Sequence, residues 1–244
     1  MIKSSNKSLG GSEFFYRLIR AVLFITYKCL FRFEFYGTEK VPLASDDRGV
    51  ILAPNHASYL DPPLLGISLK RRVTYLAKEY LFEHFFVGWV LRSIGAYPIK
   101  SKTDDFRSIR DLIRILHSGH CLAVFPEGTR SLDGNFKEPE GGVGFLAMKS
   151  KAHVVPVYIQ GTYEILPPAE GGSASGGKGA KGIRMRPIKI YFGDAFIPVN
   201  EPAFLNAESH YPAVSEMIMQ KIKALKHSVE NFDSREKRSS SLNQ

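Results

Sequence analysis

The sequence has no long hydrophobic run. Its most apolar stretch, Phe14 to Phe35, is interrupted by Arg17, Arg20, Lys28 and Arg32, and its longest uncharged segment is Ala21 to Tyr27. A membrane span needs roughly 20 apolar residues, so this stretch is not expected to cross a bilayer. No small-residue cleavage site follows it, which argues against a secretory leader. Cysteine is nearly missing: Cys29 and Cys121 are the only two, far apart and without Cys-x-x-Cys spacing. That excludes a disulfide framework and points to a reducing, cytosolic-side compartment. Acidic residues are in deficit, 24 Asp plus Glu against 33 Lys plus Arg, for a formal charge of +9. Such a balance favours anionic partners without naming one; nucleic acid, anionic lipid and an acidic carrier protein all fit. There is no internal repeat.

What is present suffices for one sizeable domain: 244 residues, 44% of them hydrophobic. Residues 1–36 read as a basic, aromatic helix, whose apolar side chains suit the headgroup boundary of an anionic bilayer while its cations pair with phosphates. The alternative is a helix packed on the protein's own core, and periodicity does not separate the two. Residues 37–233 read as the main domain. Gly49 to Ala53, Val73 to Ala77, Gly95 to Ile99, Cys121 to Phe125, Val154 to Ile159 and Ile188 to Phe192 have strand character. Between them, Asp61-Pro62-Pro63 opens a helix, Leu81 to Ile94 is aromatic and helix-like, and Asp104 to His117 is amphipathic with Arg107, Arg110 and Arg114 on a basic side. Strands alternating with helices predict a single α/β domain with a mostly parallel mixed sheet flanked by helices. Residues 171–182, rich in Gly, Ser, Ala and Lys, read as a flexible loop inside that domain. Ala213 to Val229 reads as the last helix and 234–244 as a disordered tail.

Two polar segments leave the carboxyl ends of strands, where ligands gather in open α/β sheets. The first is Asn55-His56-Ala57-Ser58-Tyr59-Leu60-Asp61. His56 can take a proton from a hydroxyl, and Asp61, bonded to the other ring nitrogen, would fix its tautomer. On a straight helix residues five apart diverge, so the pair requires a bend; the competing reading makes Asp61 a helix N-cap and His56 a loop residue. The second segment is Phe125-Pro126-Glu127-Gly128-Thr129-Arg130-Ser131. Gly128 permits a tight turn and Arg130 offers a planar fork to phosphate oxygens. Its competing reading is a surface turn closed by a Glu127 to Arg130 ion pair. Covalent catalysis through Ser58 or Cys121 is disfavoured, since Ser58 suits a local turn and Cys121 begins a buried strand. No further ligands accompany His56 and Asp61 for a metal, and His153 reads as structural. The basic helix has no nucleic-acid recognition module beside it, so no nucleic-acid partner is expected.

The two segments, in this order, resemble the first and third motifs of the 1-acylglycerol-3-phosphate acyltransferase family, Asn-His-x4-Asp and Phe-Pro-Glu-Gly-Thr-Arg-Ser. Gly95-Ala96-Tyr97-Pro98-Ile99 resembles the second motif and Val155-Pro156-Val157 the fourth; the likeness covers about Phe33 to Val199. One departure is Lys100, followed by Lys102 and Arg107, where the family often has Arg; Lys keeps the charge and loses the fork. Lys78 in Leu76-Ala77-Lys78-Glu79 looks equivalent to a family lysine near the reacting carbonyl.

The resemblance implies a glycerolipid acyltransferase-like fold and transfer of a fatty acyl group from acyl-CoA or acyl-carrier protein to the free sn-2 hydroxyl of lysophosphatidic acid, making phosphatidic acid. In that scheme His56 is the base, Asp61 orients it, and Lys78 or backbone N–H groups near Gly128 meet the oxyanion. Asn55, Lys100, Glu127, Gly128, Thr129 and Arg130 serve substrate binding. The thioester donor is a co-substrate, and no cofactor or metal is expected. The resemblance places the chain on a membrane, peripheral or monotopic on its cytoplasmic face, with membrane lipid as partner. Another lysolipid acceptor, a lysophospholipid or lyso-ornithine lipid, or a non-catalytic lipid or acyl-carrier binding protein, are the alternatives.

Overall fold

The computed structural model describes residues 13–43, 48–99, 106–168, 187–204 and 210–242. In chain order these form α1 (Glu13–Leu30), β1 (Phe33–Tyr36), β2 (Val50–Pro54), α2 (Asp61–Ser68), β3 (Val73–Lys78), α3 (Phe85–Ser93), β4 (Tyr97–Ile99) and α4 (Phe106–His117). There follow β5 (Cys121–Ala123), α5 (Gly141–Ser150), β6 (His153–Gln160), the short α6 (Thr162–Ile165), β7 (Ile188–Phe192) and α7 (Tyr211–Leu242). The seven strands form one sheet in the order β1-β7-β6-β2-β5-β3-β4. Every pairing is parallel except β6 with β7, so the α/β domain with a mostly parallel mixed sheet expected from the sequence is the observed fold.

β2 sits at the centre, and all five of its residues are buried, as a strand covered on both faces must be. Its side chains alternate between two cores. Val50 and Leu52 join Leu64, Leu65 and Ile67 of α2 and Tyr27 of α1 on one side. Ile51 and Ala53 join Leu112 and Leu116 of α4, Leu146 of α5, and Val214, Ile218 and Ile222 of α7 on the other. Each fully buried aliphatic side chain contributes about 1.5–3 kcal/mol of transfer free energy. The α5 to α7 crossing is close: a Cβ on Gly144 would lie 2.1 Å from the Tyr211 carbonyl, and the Gly144 N–H donates to Ser215 Oγ at 2.9 Å.

Four elements differ from the sequence expectation. Phe33–Tyr36, assigned to the N-terminal helix, is an edge strand pairing with β7 in the register Phe33↔Ile188 to Tyr36↔Tyr191. Its alternating Phe-Glu-Phe-Tyr pattern and aromatic content suit a strand once a partner exists. The Leu81 to Ile94 segment is divided, with a 3-10 turn at Glu79–Phe82 before α3. Gly141–Ser150, given no element in the sequence reading, is helical, with Val143, Leu146 and Ala147 buried. The last helix continues to Leu242, through the polar stretch from Ser234, which contains no Pro or Gly to stop it. Residues 171–182 lie outside the described residues.

α1 packs one stripe on the core and leaves apolar side chains exposed on another. Tyr16 and Tyr27 are buried, with Ile19, Arg20 and Leu23 partly so, forming a stripe on the core. Arg20 donates to the Gly66 and Ile67 carbonyls at the end of α2, both at 3.1 Å, satisfying carbonyls a helix C-terminus leaves open. Phe14, Leu18, Val22 and Ile25 nevertheless point outward. Among the described residues no helix is long and apolar enough to cross a membrane.

Candidate active site

The chain leaves β2 at Pro54, and its next residue locks the exit. Asn55 is buried, and its side-chain amide pairs with the backbone of β6 as a strand residue would. Nδ2 donates to the Ile159 carbonyl at 3.1 Å, and the Ile159 N–H donates to Oδ1 at 2.7 Å. Asn55 thereby holds the start of the loop against the end of β6.

The bend that His56 and Asp61 require is made by the aspartate itself. Asp61 is the first residue of α2 and fully buried. Its Oδ2 accepts His56 Nδ1 at 2.9 Å and the N–H groups of Ala57 and Ser58, each at 2.8 Å. Three donors converging on one oxygen curl the chain back over the helix start. The N-cap alternative is not realised: Leu60 is the cap residue, and no side chain caps the helix. With Nδ1–H committed to the carboxylate, Nε2 carries the lone pair. The ring stacks on Phe125, centroids 3.9 Å apart, and the side chain keeps 14% exposure.

The second loop grips the first through its backbone. Glu127 Oε1 accepts the His56 N–H at 2.9 Å, Oε2 accepts the Lys137 N–H at 3.0 Å, and the Ser131 N–H donates to the His56 carbonyl at 2.8 Å. His56 is thus held on both sides of its Cα by residues some seventy positions away. Burial raises the Glu127 carboxyl above its ordinary value, against the opposing pull of the two N–H donors. The Glu127 to Arg130 ion pair is not formed, since the carboxylate is taken up by backbone and the Arg130 guanidinium lies on the Tyr59 ring, Cζ 3.4 Å from its centroid.

Gly128 supplies the turn, at φ +66, where a Cβ would strike the Glu140 carboxylate at 2.2 Å. Its N–H donates to the Phe125 carbonyl at 3.1 Å and that of Thr129 to Glu127 at 2.7 Å. The oxyanion donors expected near Gly128 are therefore occupied within the turn, because a tight turn consumes its own N–H groups. Thr129 Oγ1 accepts a hydrogen bond from Lys137 Nζ. Lys78 is exposed at the carboxyl end of β3, on the far side of β5 from β2. Lys100 and Lys102 lie outside the described residues.

Lys137 was not anticipated, and no spacing signal marks it: its backbone N–H completes Glu127 and its ammonium reaches Thr129, both consequences of the loop's return path. The covalent alternatives find no support in the geometry. Ser58 is fully buried and donates to the Leu166 carbonyl at 2.8 Å while accepting the Leu60 N–H at 3.2 Å. Burial pushes the Cys121 thiol up to about 12, away from the reactive thiolate. Among the described residues no group of His, Cys, Asp or Glu is arranged to hold a metal.

The arrangement offers a desolvated carboxylate, an imidazole whose Nε2 is left out of the bond to Asp61, and a guanidinium one loop away. It suits removal of a proton from a hydroxyl beside an anionic group. The family model described as Acyltransferase matches residues 32–160. A 1-acyl-sn-glycerol-3-phosphate acyltransferase of Streptococcus pneumoniae is 28% identical over 66% of this chain and 61% of its own length. The enzyme of that name from Bacillus subtilis is 27% identical over 81% of this chain and 89% of its own. The chain therefore spans less than two thirds of the pneumococcal relative. The crystal structure of the 1-acyl-sn-glycerophosphate (LPA) acyltransferase PlsC from Thermotoga maritima superposes with a TM-score of 0.66 at 24% identity, covering 93% of this chain and 84% of that one, a likeness of fold.

Proposed function

The chain belongs to the Acyltransferase family, and on that premise we propose that it moves a fatty acyl group from a thioester donor to the free sn-2 hydroxyl of 1-acylglycerol 3-phosphate, yielding phosphatidic acid. The single observation carrying this is the hydrogen bond from His56 Nδ1 to the buried Asp61 carboxylate. Nε2 takes the hydroxyl proton, the oxygen attacks the thioester carbonyl, and the C–S bond breaks as the tetrahedral intermediate collapses. Asp61 stabilises the imidazolium formed in between. The leaving thiolate, of a thiol with pKa about 8.5, then recovers the proton from His56. Arg130, with Lys100, holds the acceptor's phosphate, and Lys78 would have to reach from the end of β3 past β5 to meet the oxyanion, a kind of contact worth about 2–4 kcal/mol. Asn55 and Glu127 act by fixing the backbone of the reacting loop, while Gly128 and Thr129 shape the turn that presents Arg130.

The acyl-transfer reading separates from a non-catalytic binding protein by thiol release. Purified chain with 1-acylglycerol 3-phosphate and either acyl-CoA or acyl-carrier protein is expected to release thiol and form phosphatidic acid, and His56→Ala to abolish both. Product mass spectrometry across lysophospholipid and lyso-ornithine acceptors names the substrate. Absence of thiol release with every donor and acceptor would refute the enzyme.

The exposed side chains of α1 and α3 support peripheral membrane attachment. Phe14, Leu18, Val22 and Ile25 of α1 and Phe85 and Phe86 of α3 are exposed, and Phe15 of α1 meets Trp89 of α3 edge to face at 6.2 Å, joining the helices into one aromatic face. Arg17, Lys28 and Arg92 are exposed on the same two helices, as anionic lipid would require. Flotation with anionic liposomes is expected to carry the chain, and Phe85→Ser with Phe86→Ser to weaken it. Equal recovery of both proteins would count against this face.

A further inference from the structure

We propose that Tyr59 is a positioning residue for Arg130: its ring holds the guanidinium flat, so that the in-plane N–H groups meet the acceptor's phosphate already aligned. This rests on the reading of Arg130 as the phosphate ligand given above.

The stack is close. Arg130 Cζ lies 3.4 Å above the Tyr59 centroid, a distance so short that the guanidinium must lie roughly parallel to the ring, since a tilted one would drive a nitrogen into it. The guanidinium's edges, where all five donors lie, are left for other partners. Among those edges Nη1 is buried and has no hydrogen-bond partner. Buried guanidinium nitrogens are ordinarily bonded, and a donor held in this condition suits an incoming oxyanion, which a planar fork takes with two parallel bonds.

The backbones on both sides of the stack are clamped. Next to Arg130, the Ser131 N–H donates to the His56 carbonyl at 2.8 Å. Beside Tyr59, the Leu60 N–H donates to Ser58 Oγ at 3.2 Å, and the Asp61 N–H to the Ser58 carbonyl at 3.4 Å. The freedom left to Arg130 by these bonds is that of its long side chain, whose rotamers must be restricted on binding. The Tyr59 face restricts them beforehand, and it does so only for a planar cation; a lysine ammonium has no plane to lay on the ring. The device also explains chain economy at the site. Tyr59 lies between His56 and Asp61 in sequence, so the segment that aligns the base also aligns the phosphate-binding arginine.

The test is steady-state kinetics of the full chain in mixed micelles, with 1-acylglycerol 3-phosphate varied at saturating acyl donor, for wild type, Y59F, Y59L, R130A and Y59L/R130A. Y59F keeps the ring face and should leave the acceptor KM within about twofold. Y59L should raise it roughly five- to thirtyfold, the span of a partly desolvated cation–π contact, with little change in kcat. In the R130A background, Y59L should add nothing further. The proposal is overturned if Y59F loses as much as Y59L, if Y59L and R130A act additively, or if the loss falls on kcat alone. Should R130A itself leave the KM unchanged, the phosphate reading of Arg130 fails; should R130A raise it while Y59L does not, only the role of Tyr59 fails. If wild type does not turn this acceptor over, calorimetric titration of the same proteins with glycerol 3-phosphate reads the pairing directly, and independence of the two residues there refutes it. Y59M replaces Y59L if circular dichroism shows the latter unfolded.

Discussion

Asp61→Asn removes a charge from the site while leaving its shape. An amide oxygen in place of Oδ2 can still accept the N–H groups of Ala57 and Ser58 and the Nδ1–H of His56, so the loop should keep its bend. What disappears is the negative charge facing the imidazolium that forms as His56 takes the acceptor's proton. At an effective dielectric near 20, opposite charges about 4 Å apart attract by about 4 kcal/mol. At 1.36 kcal/mol per decade of rate, that is about a thousandfold in kcat, within the range of 10²–10⁴ typical of general acid–base catalysis. The neutral amide also bonds the two N–H groups less strongly, and its NH2 falls where Oδ1 has no partner. A stability loss of about 1–3 kcal/mol follows. The assay is thiol release followed with a chromogenic thiol reagent at saturating substrates, with thermal melting by circular dichroism beside it. His56→Ala should be at least as slow, and the double variant no slower than His56→Ala, since the pair acts as a unit. A folded Asp61→Asn chain retaining more than about a third of wild-type kcat, or a double variant much slower than His56→Ala, would refute the reasoning.

Three further outcomes follow from the same geometry. Gly128→Ala puts a Cβ at φ +66 and 2.2 Å from the Glu140 carboxylate; thermal melting should show a loss of about 1–3 kcal/mol, and a melting curve like wild type would disprove it. Asn55→Ala strands the Ile159 N–H and carbonyl, so urea unfolding should show a loss of about 2–4 kcal/mol from two unmet groups; hydrogen exchange at Ile159 should rise, and unchanged protection would count against the contact. Glu127, raised by burial above its ordinary 4.5, holds its proton in the folded chain at pH values where the unfolded chain has released it. The unfolded state then binds fewer protons, so this residue's contribution to stability falls as pH rises from about 4.5 through the folded value and is level above it. Glu127→Gln should remove that fall from a pH series of urea midpoints, and an unaltered profile would exclude Glu127 as its source.

The alternation of apolar strands with amphipathic helices was enough to anticipate the α/β sheet, because burial on two faces imposes continuous apolar runs such as Val50 to Ala53. Edge and connecting elements were less legible. Phe33–Tyr36 is a strand only because β7 lies beside it, and Gly141–Ser150 is a helix whose buried face, Val143, Leu146 and Ala147, is held by tertiary packing, with Gly144 set close against α7. Local propensity carries neither partner.

The candidate site divides in the same way. Residue types made His56, Asp61 and the Glu127 to Arg130 segment candidates, and the resemblance of the two motifs together to the acyltransferase family decided between the functional and the purely structural readings. Only the tertiary structure decided what each does. The bend bringing Asp61 onto His56 comes from three donors gathered on one oxygen. Glu127, read from sequence as facing substrate, spends its carboxylate on the N–H groups of His56 and Lys137. Tyr59 meets Arg130 seventy-one positions on. A linear sequence records which groups can ionise or donate; which of them are satisfied by backbone, and which are left facing a ligand, is set by where the ends of β2 and β5 bring the two loops together.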